Sequence, residues 1–354
     1  MTELRYGIED RPEHWWQSLL FGWQHTLVDI SPFVLPLALA AALGMDAAAT
    51  AELISFGLIG MGVATLIQTT FGNRLPIIQG PSATLAGTLA PVATQVGGAA
   101  MWGAVFVGAI AETAIGLSGL LGRLRRAFPP VVAGVVVLTI GLSLGRLAIS
   151  LSVGDGSAPN LALAAGVVAL VLLLQKFGAD RWGGLLARAA IDIAIWVEGL
   201  GVGGALGLVD WQLVASRPWL QLPRPFPYGG PGFGWEFGIA ATLAVAAGYI
   251  GSMVESVGDY VATAAVADEE LTETHVSRGI TAEGIGCMLA ASVGGMPCTS
   301  YTQNVGIIAA TGIASRHVVR VAAVILLAYG LCPKFVAMLV ALPRTVLGGV
   351  FLLV

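Results

Sequence analysis

Charge is scarce in this 354-residue chain. Asp, Glu, Lys and Arg supply 11% of it against 56% hydrophobic residues, and the mean hydropathy is +0.84, whereas an ordinary soluble domain is about a quarter charged. No water-soluble core hides so much apolar surface. Cysteine and histidine are also few, three and four. Cys287, Cys298 and Cys332 sit in apolar surroundings, without the paired spacing of a zinc site or a secreted disulfide framework, so neither a metal nor any other cofactor is expected. The 17 basic and 21 acidic residues leave a net charge of −4 without long blocks of one sign, which argues against a nucleic-acid partner. A membrane-embedded enzyme would need a nucleophile or metal set with usable spacing, and none is found.

What is present is apolar length. Residues 75–111 between Arg74 and Glu112, 156–175 between Asp155 and Lys176, and 284–315 between Glu283 and Arg316 carry no charge. Each can supply the roughly 20 residues that one spanning helix requires. Apolar runs read against helix breakers predict spans near 18–43, 50–71, 76–98, 100–121, 129–150, 158–176, 184–209, 237–266, 278–296, 299–314 and 317–341, with a further start at 343. Met1 to Gln17 is polar and lacks the basic start and short apolar run of a cleaved signal. If this segment lies inside, every basic residue except Arg146, Arg217, Arg224, Lys334 and Arg344 falls on the inner side, which argues for a cytoplasmic N-terminus in a multi-pass protein of the inner membrane.

An internal echo divides the chain. Phe128-Pro129-Pro130-Val131-Val132-Ala133-Gly134-Val135-Val136 is similar to Leu342-Pro343-Arg344-Thr345-Val346-Leu347-Gly348-Gly349-Val350, the first copy running outward and the second inward. The expected fold is therefore an all-α polytopic membrane protein of two inverted seven-span repeats, an arrangement that sets the substrate site at mid-membrane on broken helices. On that count the chain stops inside span 12, about two helices short of a full second repeat. The expected divisions are a cytoplasmic segment 1–17, spans 18–121, spans 122–209, an external loop 210–236 rich in proline, spans 237–341, and the start of span 12 at 342–354.

A carboxylate inside a span costs about 2.5–3.5 kcal/mol on insertion scales, so such a residue is a functional candidate by default. Glu255 and Asp259, in Gly251-Ser252-Met253-Val254-Glu255-Ser256-Val257-Gly258-Asp259-Tyr260, are four apart and share one helix face. The alternative is a helix end whose acids reach cytoplasmic water, which fits Asp259 better than Glu255. A second constellation, Pro297-Cys298-Thr299-Ser300-Tyr301-Thr302-Gln303-Asn304-Val305-Gly306, interrupts an uncharged stretch. It reads as a broken span whose free backbone groups meet a polar ligand, or as a simple loop between two spans. Arg74-Leu75-Pro76-Ile77-Ile78-Gln79-Gly80-Pro81-Ser82 has the same character at the third span, so two half-helices would aim their N-terminal dipoles at one centre.

These residues resemble the nucleobase/ascorbate transporter family, the nucleobase:cation symporters, over the whole chain. Gln303-Asn304-Val305-Gly306-Ile307-Ile308-Ala309-Ala310-Thr311-Gly312 is similar to its signature, and Gln24-His25, Glu255, and Pro343 with Gly348-Gly349 agree. The resemblance implies a core domain of spans 1–4 and 8–11 sliding against a gate domain of spans 5–7 and 12–14, short strands in broken spans 3 and 10, and a homodimer. It implies a nucleobase substrate and a coupling proton, sodium being the alternative. Carried over by position, Glu255 accepts hydrogen bonds from ring N–H groups and Gln303 offers an amide to the opposite ring edge. Tyr301, Thr302, Ser82 and Ala83 line the substrate site, while Asp259, Asn304, Gln24 and His25 organise it or couple the proton. His25 reads as a hydrogen-bonding residue of the first span rather than a ligand.

Asp259 and Gln303 look like the choices of xanthine and uric acid carriers, and an amide suits a purine imide edge that needs both donor and acceptor. Uracil and ascorbate carriers are the other readings within the family. A same-fold anion exchanger and a non-transporting membrane fragment are the readings outside it. Departures from the family pattern are Ala83, where many members have an aromatic, Thr302 in place of a glycine, and Asp29 inside the first span. Asp192 and Glu198 in the seventh span have no assigned role.

Overall fold

The computed structural model describes residues 4–28, 35–37, 39–40, 43–124, 149–154, 156–178, 190–227 and 235–353. Its principal elements are helices α1 (Trp15–Val28) and α2 (Ala47–Thr70), strand β1 (Gln79–Pro81), helices α3 (Ala83–Val96), α4 (Gly98–Ser118), α5 (Ala158–Gly178), α6 (Ile239–Val266) and α7 (Glu273–Ser292), strand β2 (Cys298–Ser300), and helices α8 (Thr302–Thr311), α9 (Arg316–Leu331), α10 (Pro333–Val340) and α11 (Arg344–Phe351). Among the described residues α2, α4, α5 and α6 are long and apolar enough to cross a membrane. The chain is a mostly helical, multi-pass membrane protein.

Caps fix where the helices begin. Asp46 accepts from the Ala49 N–H at 2.7 Å ahead of α2, Thr272 accepts from the His275 N–H at 3.2 Å ahead of α7, and Ser315 accepts from the Val318 N–H at 3.3 Å ahead of α9. Each side chain satisfies a backbone donor that the first turn leaves open. The expected span 317–341 consists of two helices, α9 and α10, with Cys332 between them. Pro333 explains the break, since it lacks the N–H that would continue α9 and is preorganised for the first position of α10.

The chain forms two compact units. In the first, Met1–Val136 with Trp219–Pro333, α7 packs on α2 and α4, α9 packs on α1 and α2, and α6 packs on α3 and α4. With no water to expel between spans, helices associate by close van der Waals approach through small residues. A Cβ on Gly284 of α7 would stand 2.6 Å from the Thr113 backbone N of α4. Gly286, two residues on, faces α2, where a Cβ would stand 2.7 Å from the Ala64 Cβ. One helix thus grips both neighbours.

The second unit comprises Val137–Pro218 and Lys334–Val354. Here α11 packs on α5, with Gly349 against the Ala164 carbonyl, and a π-helix, Ile195–Val202, carries Glu198. The segment 128–136, first copy of the internal echo, lies outside the described residues, as does Asp29.

Candidate functional site

Both broken segments become strands, and they pair with each other. β1 and β2 run antiparallel, with Gln79 opposite Ser300, Gly80 opposite Thr299 and Pro81 opposite Cys298. The ladder extends by the Ser82 N–H to the Pro297 carbonyl at 3.0 Å and the Tyr301 N–H to the Ile78 carbonyl at 3.1 Å. Both strands are buried throughout, so at this depth each finds in the other the backbone partners that lipid cannot supply.

Each strand feeds a helix. Ser82 caps α3, its Oγ accepting from the Leu85 N–H at 3.2 Å and lying 3.3 Å from the Ser252 Oγ of α6. Ala83, half-buried, opens α3. Tyr301 precedes α8, its hydroxyl donating to the Pro81 carbonyl at 3.2 Å, and its ring occupies the space above Gly80, where a Cβ would fall 2.3 Å from the ring. Tyr301 therefore clamps the strand pair. The N-termini of α3 and α8 are where the macrodipoles are positive and amide N–H groups are left over.

Helix α6 packs on both α3 and α8. Glu255 is half-buried on α6 and accepts from the Thr84 Oγ1 at 2.8 Å, which sets its carboxylate beside the first turn of α3. Gly251, one turn earlier, permits the approach: a Cβ there would come within 2.5 Å of the Thr84 methyl. Asp259 is buried one turn further along.

Gln303 is half-buried on the first turn of α8 and makes no side-chain hydrogen bond among the described residues. Its neighbour Asn304 is fully buried and braces the helix start. Asn304 Nδ2 donates to the Pro76 carbonyl at 2.7 Å, and Asn304 Oδ1 is 2.5 Å from His25 Nδ1. Because the Pro76 carbonyl only accepts, the amide orientation is fixed, and the oxygen facing His25 requires the proton on Nδ1. Gln24 is buried beside His25 on α1. The structure thus brings α1, the loop before β1, and α8 together at Asn304. The side chains of Thr302 and Asp192 lie outside the described residues.

Two acids that stand in the sequence as the ends of charge-free stretches, Glu112 and Glu283, are also buried here. Glu283 of α7 is fully enclosed, with the Ser256 Oγ at 2.6 and 2.8 Å from its two oxygens, the Tyr260 hydroxyl at 3.0 Å and the Ser300 Oγ at 3.4 Å. Ser256 also lies 2.9 Å from the Thr299 Oγ1 and accepts from the Ser300 N–H at 3.3 Å. Glu112 of α4 is 1% exposed and adjoins Glu283. The rule that picked out Glu255, an acid inside a span, applies equally to both.

This architecture defines a class before it defines a family. The chain superposes on the transmembrane domain of the cyanobacterial bicarbonate transporter BicA with a TM-score of 0.67, at 18% identity, covering 98% of this chain and 90% of that one. SLC26A9 gives a TM-score of 0.63 at 14% identity, covering 94% of this chain and 56% of that one. The fold is that of these membrane transporters.

The Permease family, Xan_ur_permease, matches residues 16–354, and the chain belongs to it, within the nucleobase/ascorbate transporters. Uric acid permease PucK of Bacillus subtilis is 34% identical over 344 residues, covering 94% of this chain and 77% of PucK. Xanthine permease XanQ of Escherichia coli strain K12 is 33% identical over 374 residues, covering 98% and 78%. The putative purine permease CPE0397 of Clostridium perfringens is 34% identical over 360 residues, covering 99% and 77%. The relatives are permeases, so the chain is a transporter and not an enzyme.

Proposed function

We propose that this chain imports a purine nucleobase of the xanthine or uric acid type across the inner membrane by proton symport. One observation carries the reading. A carboxylate, Glu255, is held at the N-terminus of one half-helix while Gln303, an amide with no side-chain hydrogen bond among the described residues, stands on the first turn of the other, and the two half-helices are tied by a shared strand pair. A purine imide edge needs both a donor and an acceptor, which an amide offers at once. Ring N–H groups on the far edge suit Glu255, with Asp259 behind it, Ser82 and Ala83 at the rim, and Asn304 and His25 holding the helix start. Sites that pair such groups reject mismatched ligands by about 10⁴–10⁵.

The coupling step is protonation in the Glu255 and Asp259 region, which relieves a costly intramembrane charge before substrate completes the hydrogen bonds. The core domain, spans 1–4 and 8–11 of two inverted repeats, then carries the site past the gate domain in an elevator movement, in a homodimer with its N-terminus inside. That all of these site residues belong to one compact unit supports the reading, because a carrier that moves its site must move it as one body.

A fold shared with a bicarbonate carrier raises the alternative of anion exchange. Glu255 argues against it. An anion carrier would leave the positive helix N-termini to its substrate, whereas here a resident carboxylate already occupies one of them. The test is competition uptake with xanthine, uric acid, guanine, uracil and ascorbate, with and without a pH gradient. Xanthine and uric acid should compete, accumulation should vanish with the gradient, and Glu255→Gln or Asp259→Asn should abolish it. Wild-type accumulation by either variant removes the proposed coupling roles, and preference for uracil or ascorbate removes the purine assignment.

A further inference from the structure

The donors around the buried acids are unevenly shared. Ser256, Tyr260 and Ser300 all bring hydroxyls to Glu283, and Gln68 of α2 backs Tyr260 with an amide donated at 2.8 Å. Among the described residues no hydroxyl or amide donor reaches either carboxyl oxygen of Glu112, although both are shut away from solvent. Glu112 instead adjoins Glu283 and the Cys287 thiol. The closeness is built into the backbone: Gly284, next to Glu283, meets the Thr113 N and the Ala109 carbonyl, and Gly116 meets Thr281, so α4 and α7 touch at the level of the two acids.

The titratable groups facing the pair are Cys287 on α7, Tyr249, Glu255 and Tyr260 on α6, and Cys298 on β2. Neither acid has an ion-pair partner among the described residues. Two carboxyls side by side without a counter-ion cannot both be ionised. A carboxylate accepts and only a protonated carboxyl donates. Glu283, which collects three hydroxyls, is therefore the acceptor, and Glu112, which collects none, is the donor.

We propose that Glu112 and Glu283 hold one proton between them, Glu112 donating to Glu283, and that this makes Glu112 a positioning residue for the substrate site. The effect passes through Glu283. Its oxygens hold Ser256, the neighbour of Glu255, and Ser300, the last residue of β2, which also accepts from Gln79 of β1 at 2.9 Å. Loss of the shared proton sets two charges together and pushes α4 from α7, and the hydroxyls that fix Glu255 and the strand pair shift with Glu283. The role in transport rests on the proposed function; the shared proton does not.

The test is infrared difference spectroscopy of the purified chain and its Glu112→Gln variant, with uptake measured against pH for both. A protonated-carboxyl band should be present in the wild type at neutral pH and lost in Glu112→Gln. In uptake, the alkaline fall that accompanies loss of the shared proton should disappear in Glu112→Gln, whose amide donates at every pH. Substrate ionisation and Glu255 are common to both proteins and cancel in the comparison. Glu112→Leu, which has no donor, should lose uptake that Glu112→Gln retains. An unchanged carboxyl band overturns the shared proton whether or not the chain carries purines. Superimposable pH profiles, or wild-type uptake by Glu112→Leu, overturn the positioning role. Failure of Glu112→Gln to reach the membrane also overturns it, since an amide keeps both the volume and the donor.

Discussion

Asn304 shows how much one buried amide settles. Its Nδ2 satisfies the Pro76 carbonyl at 2.7 Å, its Oδ1 fixes the tautomer of His25, and both contacts are shut off from solvent. Removing one partner of a buried hydrogen bond leaves the other unsatisfied at a cost of about 1–3 kcal/mol. Asn304→Ala should therefore lower the thermal unfolding temperature in detergent and raise the KM for substrate, because it frees both the loop before β1 and the start of α8. His25→Leu leaves the Pro76 contact intact and should cost less. If His25→Leu proved the more damaging, the brace would run through histidine rather than asparagine. At this scale the sequence was legible where chemistry is concentrated. Glu255 and Asp259 stand out by spacing, and Gln303 and Asn304 by the motif around them. Glu112 and Glu283 did not, since each stands alone in its own span and only the packing of α4 on α7 makes them a pair.

Between elements, contact is governed by glycine, and composition alone does not say which of the 48 glycines is a contact. Gly284 and Gly57 look alike in sequence, each in a buried helix. A Cβ on Gly284 would meet backbone atoms of α4, the Thr113 N at 2.6 Å and the Ala109 carbonyl at 2.9 Å, while one on Gly57 of α2 would meet nothing within 4 Å. Backbone cannot rotate away as a side chain can, so Gly284→Ala should destabilise by about 1–3 kcal/mol through overpacking. Gly57→Ala should be neutral or stabilising by up to about 1 kcal/mol, since alanine is the better helix former. Unfolding midpoints of the two variants, measured side by side, check the pair. Equal effects would mean that helix propensity, not interhelical distance, decides glycine usage here. The strands carry the same lesson. Proline and small polar residues announced two breaks in the sequence, but nothing in either segment named the other as its partner, because a pairing of Gln79 with Ser300 is set by the fold around it.

Over the whole of the first compact unit, two poles are defined by what lies across them. At one, the N-terminal segment crosses the end of α8 and the start of α9: the Arg5 N–H donates to the Gly312 carbonyl at 2.8 Å, the Ala314 N–H to the Tyr6 carbonyl at 2.8 Å, and Glu9 pairs with Arg316 and, at 3.6 Å, with Arg74. The sequence showed this segment only as polar, since its partners are distant in the chain, Arg74 beyond α2 and Gly312, Ala314 and Arg316 near the other end. At the other pole, the loop after Trp219 donates from Gln221 to the Leu331 carbonyl at 3.0 Å and from Phe226 to the Ser292 carbonyl at 2.7 Å, and Arg224 pairs with Glu52 at 3.0 Å. Helix α2 runs between them, from Glu52 near its start to Arg74 just past its end. The basic residues Arg5, Arg11, Arg74, Arg316 and Arg320 thus gather at the N-terminal pole, and by the positive-inside rule the orientation we propose has this pole facing the cytoplasm. In a Cys332→Ser background, with Cys287 and Cys298 buried, a cysteine replacing the exposed Trp219 should react with a membrane-impermeant maleimide on intact cells. A cysteine replacing the exposed Glu13 should react only after permeabilisation. The opposite pattern would invert the orientation and turn the proposed importer's proton-coupled direction with it, while leaving the packing of both poles as described.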